Sequence, residues 1–415
     1  MIFYKTLNRL IDIITGYDIS KRTAEAIRFD FLDRNQIDDY QRQKFRELAR
    51  IASTSEYYKD FYDKSLEEFP LVDRDEYLKN MHQMRTGYKH PYHISQSSGS
   101  TGNPVQQYIS KAMLIAKRAS HQKMLSWYGL NRESPEFKLG GLQFNLKTKI
   151  YYYLRNKRYF SSVYISDHTL PRIIQTFNRF KPAVLYGYPA TINRFVIFAR
   201  ENGLALHHPE IIVTHAENLY KDIRDNLGIA FPDSKIVNQY WATEANIAET
   251  CPHGNLHIDE DTVICEVHDP DEHGIGDLCI TNFFSYIVPV IRYKIGDRVK
   301  VSDRICSCGR STKIIELIEG RDYEYLELPD GRKFPITALD ESEFAENILY
   351  YQLIYYKKEK KIVFRFMPVR KDLPVRMDLI TSHFKKEFGL RTEFDQVDVI
   401  ETTSGGKLKR LIVID

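Results

Sequence analysis

Short apolar runs alternate with longer amphipathic stretches from residue 92 to residue 300, and this alternation limits the possible folds more than any other feature. Residues 183–186 and 211–213 are apolar runs of strand length, whereas residues 189–202 and 217–228 carry apolar side chains at helical spacing. Strands that alternate with amphipathic helices are typical of layered α/β folds, in which helices cover a sheet. The sequence therefore predicts a large α/β domain.

The last part of the chain has a different pattern, which predicts a small, mobile α+β domain. Its predicted elements are strands at 349–356 and 361–367 around a lysine-rich turn, a helix at 374–388 and a strand at 394–400. A domain of about 95 residues is within the usual size range. We therefore divide the chain into a multi-lobed N-terminal α/β domain, residues 1–320, and a C-terminal domain, residues 321–415.

The N-terminal segment indicates where the protein works. Lys5, Arg9 and Asp12 interrupt it, so it lacks the apolar stretch of a secretory signal, and no later segment has the ~18 consecutive apolar residues of a membrane-spanning helix. We expect a cytoplasmic protein. Its apolar side chains fall on one helical face, which we expect to pack on its own domain, with a membrane surface as the alternative. These residues are Ile2, Phe3, Leu7, Leu10, Ile11 and Ile14.

The charge balance argues against a polyanion-binding protein. The 59 basic and 56 acidic residues give a formal net charge of +3. Nucleic-acid-binding surfaces usually need a clear excess of basic residues. We therefore expect small-molecule partners and no nucleic acid. Residues 35–70 read as a helical region that precedes the α/β part of the chain.

A loop rich in hydroxyls and glycines precedes a helix-like run that begins at Lys111. Small residues let backbone N–H groups turn towards phosphate oxygens, and Ser and Thr hydroxyls add further donors. The segment does not match the Walker pattern, because no Lys-Ser or Lys-Thr pair follows its second glycine. The candidate phosphate-binding residues are Ser97, Ser98, Gly99, Ser100, Thr101 and Gly102.

Five further segments follow in the second half of the chain. Residues 214–218 come directly after the apolar run at 211–213, at the end of a predicted strand, where α/β folds bind ligands. The other four are residues 238–244, 288–297, 320–322 and 403–410. Each segment taken alone is a common strand end or glycine turn. Their order is more informative, because independent chance matches multiply.

In this order, the segments resemble those of the adenylate-forming (AMP-binding) enzymes. The similarity is greatest to the phenylacetate-CoA ligase group, close to its capsule-biosynthesis-associated branch. The resemblance implies that the Ser/Gly loop holds the ATP phosphates and that Ala216 and Glu217 lie against the adenine. It implies a mobile C-terminal lysine, Lys407, that approaches the reacting carboxylate and α-phosphate in one domain orientation.

The same resemblance assigns the remaining nucleotide-binding residues. Tyr240 would stack on the adenine, Thr243 would donate to the α-phosphate, and Glu244 would hold the Mg²⁺ ion that neutralises the phosphates. Asp297 would accept hydrogen bonds from the ribose hydroxyls. Arg321 would reach the ribose or a phosphate.

Three positions depart from the family pattern. Asn103 stands where a lysine is usual, which removes one cation from the phosphate loop. Trp241 replaces a glycine, which would narrow the acid pocket, and Ile295 replaces a threonine. The residue about which the domains rotate is either Asp322 or Glu324.

All five cysteines lie between residues 251 and 308, which points to a local metal site. Three thiolates and one imidazole suit tetrahedral Zn²⁺, and four protein ligands leave no open position for catalysis. We expect a structural zinc, with His253 as the alternative nitrogen ligand and reduced, partly buried thiols as the alternative to a metal. The predicted ligands are Cys251, His257, Cys306 and Cys308, whereas Cys265 and Cys279 lie in strand-like runs and read as core residues.

These features predict an enzyme that activates a carboxylic acid with ATP and then transfers the acyl group. Coenzyme A is the acceptor that the resemblance favours, and an amine or a sugar in polysaccharide biosynthesis is the alternative. Adenylyl transfer to a hydroxyl remains open as well. A protein of another class, which binds ATP for assembly with little turnover, is the remaining alternative.

Overall fold

The computed structural model describes residues 2–90, 92–96, 106–141, 145–321, 325–328, 332–336, 339, 347–400 and 408–414. Its α-helices are Ile2–Thr15 (α1), Ile19–Phe29 (α2), Arg34–Ala52 (α3), Arg74–Asn80 (α4), Lys111–Trp127 (α5), Leu146–Leu154 (α6), Leu170–Phe180 (α7), Pro189–Glu201 (α8), Lys221–Ala230 (α9) and Met377–Phe388 (α10). Short 3₁₀ turns occur at Lys59–Phe61, Leu66–Glu68 and Ser162–Tyr164.

The described residues include 19 β-strands. They are Tyr92–Gln96 (β1), Gln106–Ser110 (β2), Glu136–Leu139 (β3), Lys157–Phe160 (β4), Val184–Gly187 (β5), Ile211–His215 (β6), Lys235–Trp241 (β7), Asn246–Thr250 (β8), Leu256–Ile258 (β9), Val263–His268 (β10), Gly276–Asn282 (β11), Tyr293–Ser302 (β12), Ile314–Arg321 (β13), Tyr325–Glu327 (β14), Lys333–Pro335 (β15), Ile348–Tyr356 (β16), Lys361–Pro368 (β17), Arg391–Gln396 (β18) and Leu411–Ile414 (β19).

Residues 1–134 and 237–318 form one compact unit. Its strands follow the order β10-β11-β12-β13-β9-β8-β7. Strand β11 pairs antiparallel with β10 and β12, and β9 pairs antiparallel with β13 and β8, as β8 does with β7. Helix α3 begins at Asp33, whose side chain accepts from the Gln36 amide in a capping box. Helix α5 begins after Ser110, which caps it through the Met113 amide and so fixes the direction in which the helix leaves β2.

Residues 135–236 and 319–415 form the second unit. Strands β4, β3, β5 and β6 are neighbours in that order and are parallel. Their connections run through helices, as parallel pairing requires. Phe137, Leu185 and Ile212 of these strands are fully buried, together with Phe177 and Phe195 of α7 and α8. Helices thus cover the parallel sheet, and the predicted α/β class is confirmed.

The C-terminal segment of the second unit contains a four-stranded sheet of order β18-β17-β16-β19. Three strands and the helix were predicted, with α10 spanning Met377–Phe388 and β18 ending at Gln396. Strand β19 was not predicted, because only five residues follow the glycine-containing segment 403–410. It pairs in parallel with β16, with Leu411 opposite Leu353. The division at residue 320 and the mobility of this segment stay predictions.

Two sequence predictions need correction. The helix expected at 217–228 begins only at Lys221, because the chain first bends after β6, where Ala216 has a positive φ of 64°. The apolar face of α1 was expected to pack on its own domain, but Leu10 and Ile14 are 51% and 74% exposed. Among the described helices, none has the length and apolar character needed to cross a membrane.

Candidate functional site

Asp297 lies on β12 where that strand departs from regular pairing. Between Cys279 and Asp277, β11 advances two residues while β12 advances four. The extra residues form a bulge that includes Gly296 at φ +86°, a conformation that glycine adopts without strain. Asp297 is buried, and its Oδ2 accepts a hydrogen bond of 2.5 Å from the hydroxyl of Tyr240. Two predicted nucleotide-binding residues, Tyr240 and Asp297, are therefore in contact at the bulge.

Thr243 and Glu244 occupy the tight turn between β7 and β8. Glu244 is buried, and its carbonyl accepts a hydrogen bond of 2.6 Å from Asn282 Nδ2. From α5, Lys117 Nζ donates to the carbonyls of Thr243 at 2.8 Å and Ala242 at 3.3 Å. The turn that carries both predicted catalytic groups is thus held from two sides by side-chain donors.

Lys117 is a functional candidate that the sequence did not reveal. Burial lowers the pKa of its ammonium group to about 8, although the negative charge of Glu244 opposes this shift. A lysine in a helix that follows the predicted phosphate loop looks like an ordinary surface cation in a sequence. Only its contacts with the turn identify it as a cation near Glu244.

The side chain of Trp241, which replaces the family glycine, is anchored by a buried acid. Its Nε1 donates to Glu249 Oε1 at 2.8 Å, and Gln239 donates to the same oxygen at 3.3 Å. Burial raises the pKa of Glu249 well above the usual range. The indole is therefore fixed in position, although its predicted effect on the acid pocket stays a prediction.

Arg292, in the segment 288–297, holds residues 67–72 against β12. It is buried at a positive φ of 46°, and its Nη1 donates to the carbonyls of Glu67 and Phe69 at 2.9 Å each. Val72 forms an isolated parallel bridge with Tyr293. The motif arginine is thus a structural residue, and the segment after Pro70 has a packing role.

In the second unit, the segment after β6 turns sharply at Ala216. As predicted, residues 214–218 lie at the end of a strand. The positive φ of Ala216, +64°, costs ~1–2 kcal/mol for a residue with a Cβ atom. The ring of His215 stacks on Tyr186 with centroids 4.4 Å apart. The chain thus turns out of β6 within the predicted adenine-binding segment, whose residues 215–218 are partly buried.

The carboxylate of Glu217 accepts hydrogen bonds from two distant backbone amides. Oε2 accepts from Ala190 at the start of α8, at 3.3 Å, and Oε1 accepts from Leu408, at 3.1 Å. Tyr350 donates to the carbonyl of Ala190 at 2.7 Å. Burial and the Glu217 charge raise the pKa of Tyr188 to about 12. Glu217 thus connects α8 to the amide that directly follows Lys407.

Arg410, the last residue of the C-terminal motif, is buried. Its guanidinium carbon lies 4.0 Å from the ring centroid of Tyr351 and 4.6 Å from that of Tyr220. Its Nη2 donates to Asp222 at 3.3 Å. Sequence reasoning placed the function of this motif in its lysine and did not predict the anchoring by arginine.

Several predicted residues lie outside the described residues or lack a described side chain. The loop residues Ser97, Ser98, Gly99, Ser100, Thr101 and Gly102, with Asn103, are outside, and so are Asp322, Glu324 and Lys407. The strands that flank the loop, β1 and β2, pair antiparallel. Arg321 ends β13, and only its backbone is described.

The four predicted zinc ligands lie together in the first unit. Their ligand atoms are all within 4.8 Å of one another. Cys251 Sγ lies 3.9 Å from Cys306 Sγ, and Cys308 Sγ lies 3.4 Å from His257 Nε2. Tetrahedral zinc with usual bond lengths places two sulfurs about 3.8 Å apart and a sulfur and a nitrogen about 3.6 Å apart. The cluster therefore fits a zinc ion.

Surrounding groups fix the orientation of these ligands. His257 Nδ1 lies 3.2 Å from the Thr312 carbonyl, so that Nε2 faces the cysteines. Burial lowers the pKa of His257 to about 4, which keeps the ring neutral. Burial opposes ionisation of Cys306, but hydrogen bonds, first from the Cys308 amide, lower its pKa. The exposed His253 contacts Ser307 Oγ at 2.9 Å, so His257 is the histidine within the cluster.

Comparison with known proteins identifies the fold. The chain is 25% identical over 401 residues to Protein CapK of Staphylococcus aureus, covering 90% of this chain and 88% of that protein. It superposes with a TM-score of 0.76 on 2-hydroxyisobutyryl-CoA ligase in the postadenylation state with R3-HIB-AMP, at 15% identity, covering 93% of this chain and 91% of that chain. The chain has the fold of the adenylate-forming CoA ligases. No protein-family model matches it.

A second structure supports the same fold over a shorter range. ATP-bound MatB from Rhodopseudomonas palustris matches with a TM-score of 0.51 and 15% identity, covering 76% of this chain and 66% of that chain. The predicted resemblance to adenylate-forming CoA ligases is thus confirmed at the level of fold. Within this fold, the first unit brings Tyr240 to Asp297, and Thr243 and Glu244 share one turn; the second unit holds Ala216 and Glu217 at the end of β6.

Proposed function

We propose that the protein activates a carboxylic acid with ATP as an acyl-adenylate, releases pyrophosphate and transfers the acyl group to the thiol of coenzyme A. The observation that carries this proposal is the pair of buried acids in the first unit, Asp297 in its bulge and Glu244 in its turn, within a fold of adenylate-forming ligases. A neighbouring donor holds the carboxylate of Asp297 and the backbone carbonyl of Glu244, and such support keeps a binding group in position for a polar ligand.

Asp297 is the proposed ribose ligand. A carboxylate has acceptor sites for both hydroxyls of a ribose as well as for a neighbouring phenol. Tyr240 already donates to Oδ2, which orients the carboxylate and places the phenol ring beside it. The ring would then contact the adenine.

Glu244 is the proposed Mg²⁺ ligand. A buried carboxylate beside a threonine hydroxyl fits a hard cation that binds oxygen. When bound, the ion would neutralise charge on the phosphates. Thr243 would donate to the α-phosphate, and its own backbone carbonyl accepts a hydrogen bond from Lys117.

The first half-reaction forms a mixed anhydride. A carboxylate oxygen attacks the α-phosphorus, the bond from that phosphorus to the bridging oxygen breaks, and pyrophosphate leaves with the electron pair. Lys407 would stabilise the negative charge between carboxylate and phosphate, Arg321 would bind the ribose or a phosphate, and the Ser97–Gly102 loop would hold the departing phosphates. Rotation of the C-terminal domain about Asp322 or Glu324 would then move Lys407 away from the acyl-adenylate.

The second half-reaction transfers the acyl group. The sulfur of coenzyme A attacks the acyl carbonyl carbon, AMP leaves, and the thiol proton passes to solvent. A solved structure of 2-hydroxyisobutyryl-CoA ligase contains both an acyl-AMP and CoA, which supports this acceptor. An amine or sugar acceptor would use the same first step, and the location of the protein in the cytoplasm stays a prediction.

A structural zinc completes the proposal. Cys251, His257, Cys306 and Cys308 fit one tetrahedral ion, and they would connect the loop after β8 with the loop between β12 and β13. With four protein ligands the ion would stabilise the fold and take no part in the reaction.

The test is acid-dependent exchange of labelled pyrophosphate into ATP, measured with the purified protein over a panel of carboxylic acids. We expect exchange with at least one acid, and a hydroxamate when hydroxylamine traps the acyl-adenylate. Asp297→Ala should strongly reduce both signals at low ATP concentration, whereas Asp39→Asn, an exposed acid on α3, should leave them unchanged. Added coenzyme A should lose free thiol at the rate at which AMP appears. Absence of ATP binding would overturn the proposal. If AMP is released only when an amine or a sugar is added, that compound and not coenzyme A is the acyl acceptor.

A further inference from the structure

Helix α1 contacts its own unit through polar side chains and turns its apolar side chains outward. Asn8 is 2% exposed, and its Nδ2 donates to Glu133 Oε1 at 3.0 Å. Asp12 accepts hydrogen bonds from both terminal nitrogens of Arg132, one of them at 2.7 Å. One turn apart, Asn8 and Asp12 define the inward face of the helix. This arrangement is the reverse of the usual amphipathic surface helix.

The outward face of α1 is apolar. Leu10, Ile13 and Ile14 are 51%, 70% and 74% exposed, and Leu7 and Ile11 at its edges are half-buried. Isolated exposed apolar residues are common, but adjacent ones on a single helix face indicate a contact surface. The helix is therefore built to hold apolar side chains in an environment other than water.

The charges that remain exposed on α1 are positive. Lys5 and Arg9 are exposed and make no ion pair with the part of the chain that the structure describes. The single acid of the helix, Asp12, is paired with Arg132, and both side chains are 12% exposed. An apolar face flanked by unpaired cations suits a surface that is apolar within and anionic at its edge.

Tyr17 and two cations of α5 add aromatic and positively charged groups near the C-terminal end of α1. Tyr17 follows the helix, and the cationic groups of Lys111 and Arg118 each lie 5.3 Å from its ring centroid. Tyrosine has an apolar ring and a polar hydroxyl, which suits the headgroup level of a membrane, and nearby lysine and arginine attract phosphates. Cations thus lie at both ends of the apolar face.

We propose that α1 is an interfacial helix that lies on an anionic lipid bilayer, with Leu10, Ile13 and Ile14 among the acyl chains and Lys5 and Arg9 at the lipid phosphates. Both the insertion of apolar side chains and the attraction of the cations to lipid phosphates are needed, since a single short helix with few apolar residues binds weakly without electrostatic attraction. The contact is reversible and peripheral, and it brings the enzyme to a membrane without a spanning segment. A second copy of the chain is the alternative occupant of this face.

The test is flotation of the full chain with vesicles of phosphatidylcholine, with and without phosphatidylserine. We expect binding to the anionic vesicles that falls as salt is raised. Ile13→Gln with Ile14→Gln should weaken binding by ~10-fold or more, because both apolar side chains leave the acyl region. Lys5→Gln with Arg9→Gln should weaken binding to anionic vesicles and reduce its salt dependence.

The matched control is Ile229→Gln, which replaces an isoleucine 73% exposed on α9 and should leave binding unchanged. Unchanged melting temperatures would show that the α1 variants fold. The proposal is overturned if the wild-type chain fails to float with anionic vesicles, or if the α1 variants float as well as wild type. A dimer in solution that the isoleucine substitutions dissociate, without vesicle binding, would assign the face to a second copy instead.

Discussion

The hydroxyl of Tyr240 donates a hydrogen bond of 2.5 Å to Asp297, across strands that are far apart in sequence. If Asp297 also binds the ribose, Asp297→Ala should weaken ATP binding by ~2–3 kcal/mol, the range for hydrogen bonds to a charged group. Tyr240→Phe should weaken it less, because the carboxylate remains. Calorimetric titration of ATP with each variant measures the difference.

The proposed roles of Glu244 and Asp297 predict different responses to Mg²⁺. Glu244→Ala should weaken ATP binding mainly when Mg²⁺ is present, because that residue would act through the ion. The Asp297→Ala defect should persist in its absence. Titrations with and without Mg²⁺ compare the two variants, and equal sensitivity to the ion in both would mean that the roles are misassigned.

The hydrogen bonds of Glu217 predict that the proposed adenine-binding segment, residues 214–218, is coupled to the loop that carries Lys407. Glu217→Gln leaves a single acceptor oxygen for the amides of Ala190 and Leu408, so one hydrogen bond should be lost. We expect the Leu408 amide to exchange its hydrogen ~10-fold faster or more, the scale of a lost hydrogen bond to a charged group. Hydrogen exchange with mass spectrometry measures this effect.

The same variant should also affect catalysis if the position of Lys407 depends on the next residue. Acid-dependent ATP–pyrophosphate exchange should fall in Glu217→Gln, but by less than the ~100-fold loss expected for Lys407→Ala. Asp225→Asn is the matched control, since Asp225 is an exposed acid on α9 of the same unit that pairs with Lys221. If the amides of both Leu408 and Ala190 exchange at the wild-type rate in Glu217→Gln, the link does not operate in solution.

Sequence reasoning predicted those parts of the structure that depend on local pattern. The α/β alternation, the strands around the lysine-rich turn and the cysteine set all follow from periodicity or ligand type within short segments. The cluster of three cysteines and His257 was predicted although 57 positions separate Cys251 from Cys308, because the chemistry of zinc ligands limits the choice of partners. The positive φ of Ala216 was not predicted, since a left-handed alanine has no sequence signal.

Contacts between distant residues could not be predicted from local pattern. Lys117 and Arg410 look like ordinary solvated cations in the sequence, yet one donates to the Thr243 carbonyl and the other is buried against Tyr351. Helix α1 shows a further limit. Its apolar stripe was visible, but only the contacts of Asn8 and Asp12 reveal which face meets the protein.

The cysteine cluster predicts one zinc ion per chain. Elemental analysis of purified protein should find ~1 zinc, and Cys308→Ser should lose the metal and lower the melting temperature, because binding energy of structural zinc contributes to folding. His257→Ala should behave in the same way. His253→Ala and Cys265→Ser should retain both metal and stability, since neither residue belongs to the cluster. A fully stable protein without zinc would contradict the assignment.

A buried group of charges lies next to this cluster and predicts a pH dependence of stability. Lys123 Nζ is 2.7 Å from Asp259 and 3.2 Å from Asp30, and all three side chains are at most 1% exposed. Asp30 also accepts a hydrogen bond of 3.0 Å from Trp127 Nε1. Burial raises the pKa of Asp30 from 3.8 to about 6, although the charge of Lys123 opposes the change.

A raised carboxyl pKa means that the folded state binds the Asp30 proton more tightly than the unfolded chain does. The contribution of Asp30 to stability is therefore greatest below about pH 4, falls as pH rises to about 6 and is constant above. Asp30→Asn keeps an acceptor for Trp127 but does not titrate. The free energy of unfolding of wild type relative to Asp30→Asn should thus fall by up to ~3 kcal/mol between about pH 4 and pH 6.

Urea denaturation across this pH range measures the difference in unfolding free energy. Asp39→Asn is the control, because Asp39 is 74% exposed and its substitution should change stability little at any pH. A wild-type protein that gains stability over Asp30→Asn as pH rises would mean that the attraction of Lys123 outweighs the cost of burial.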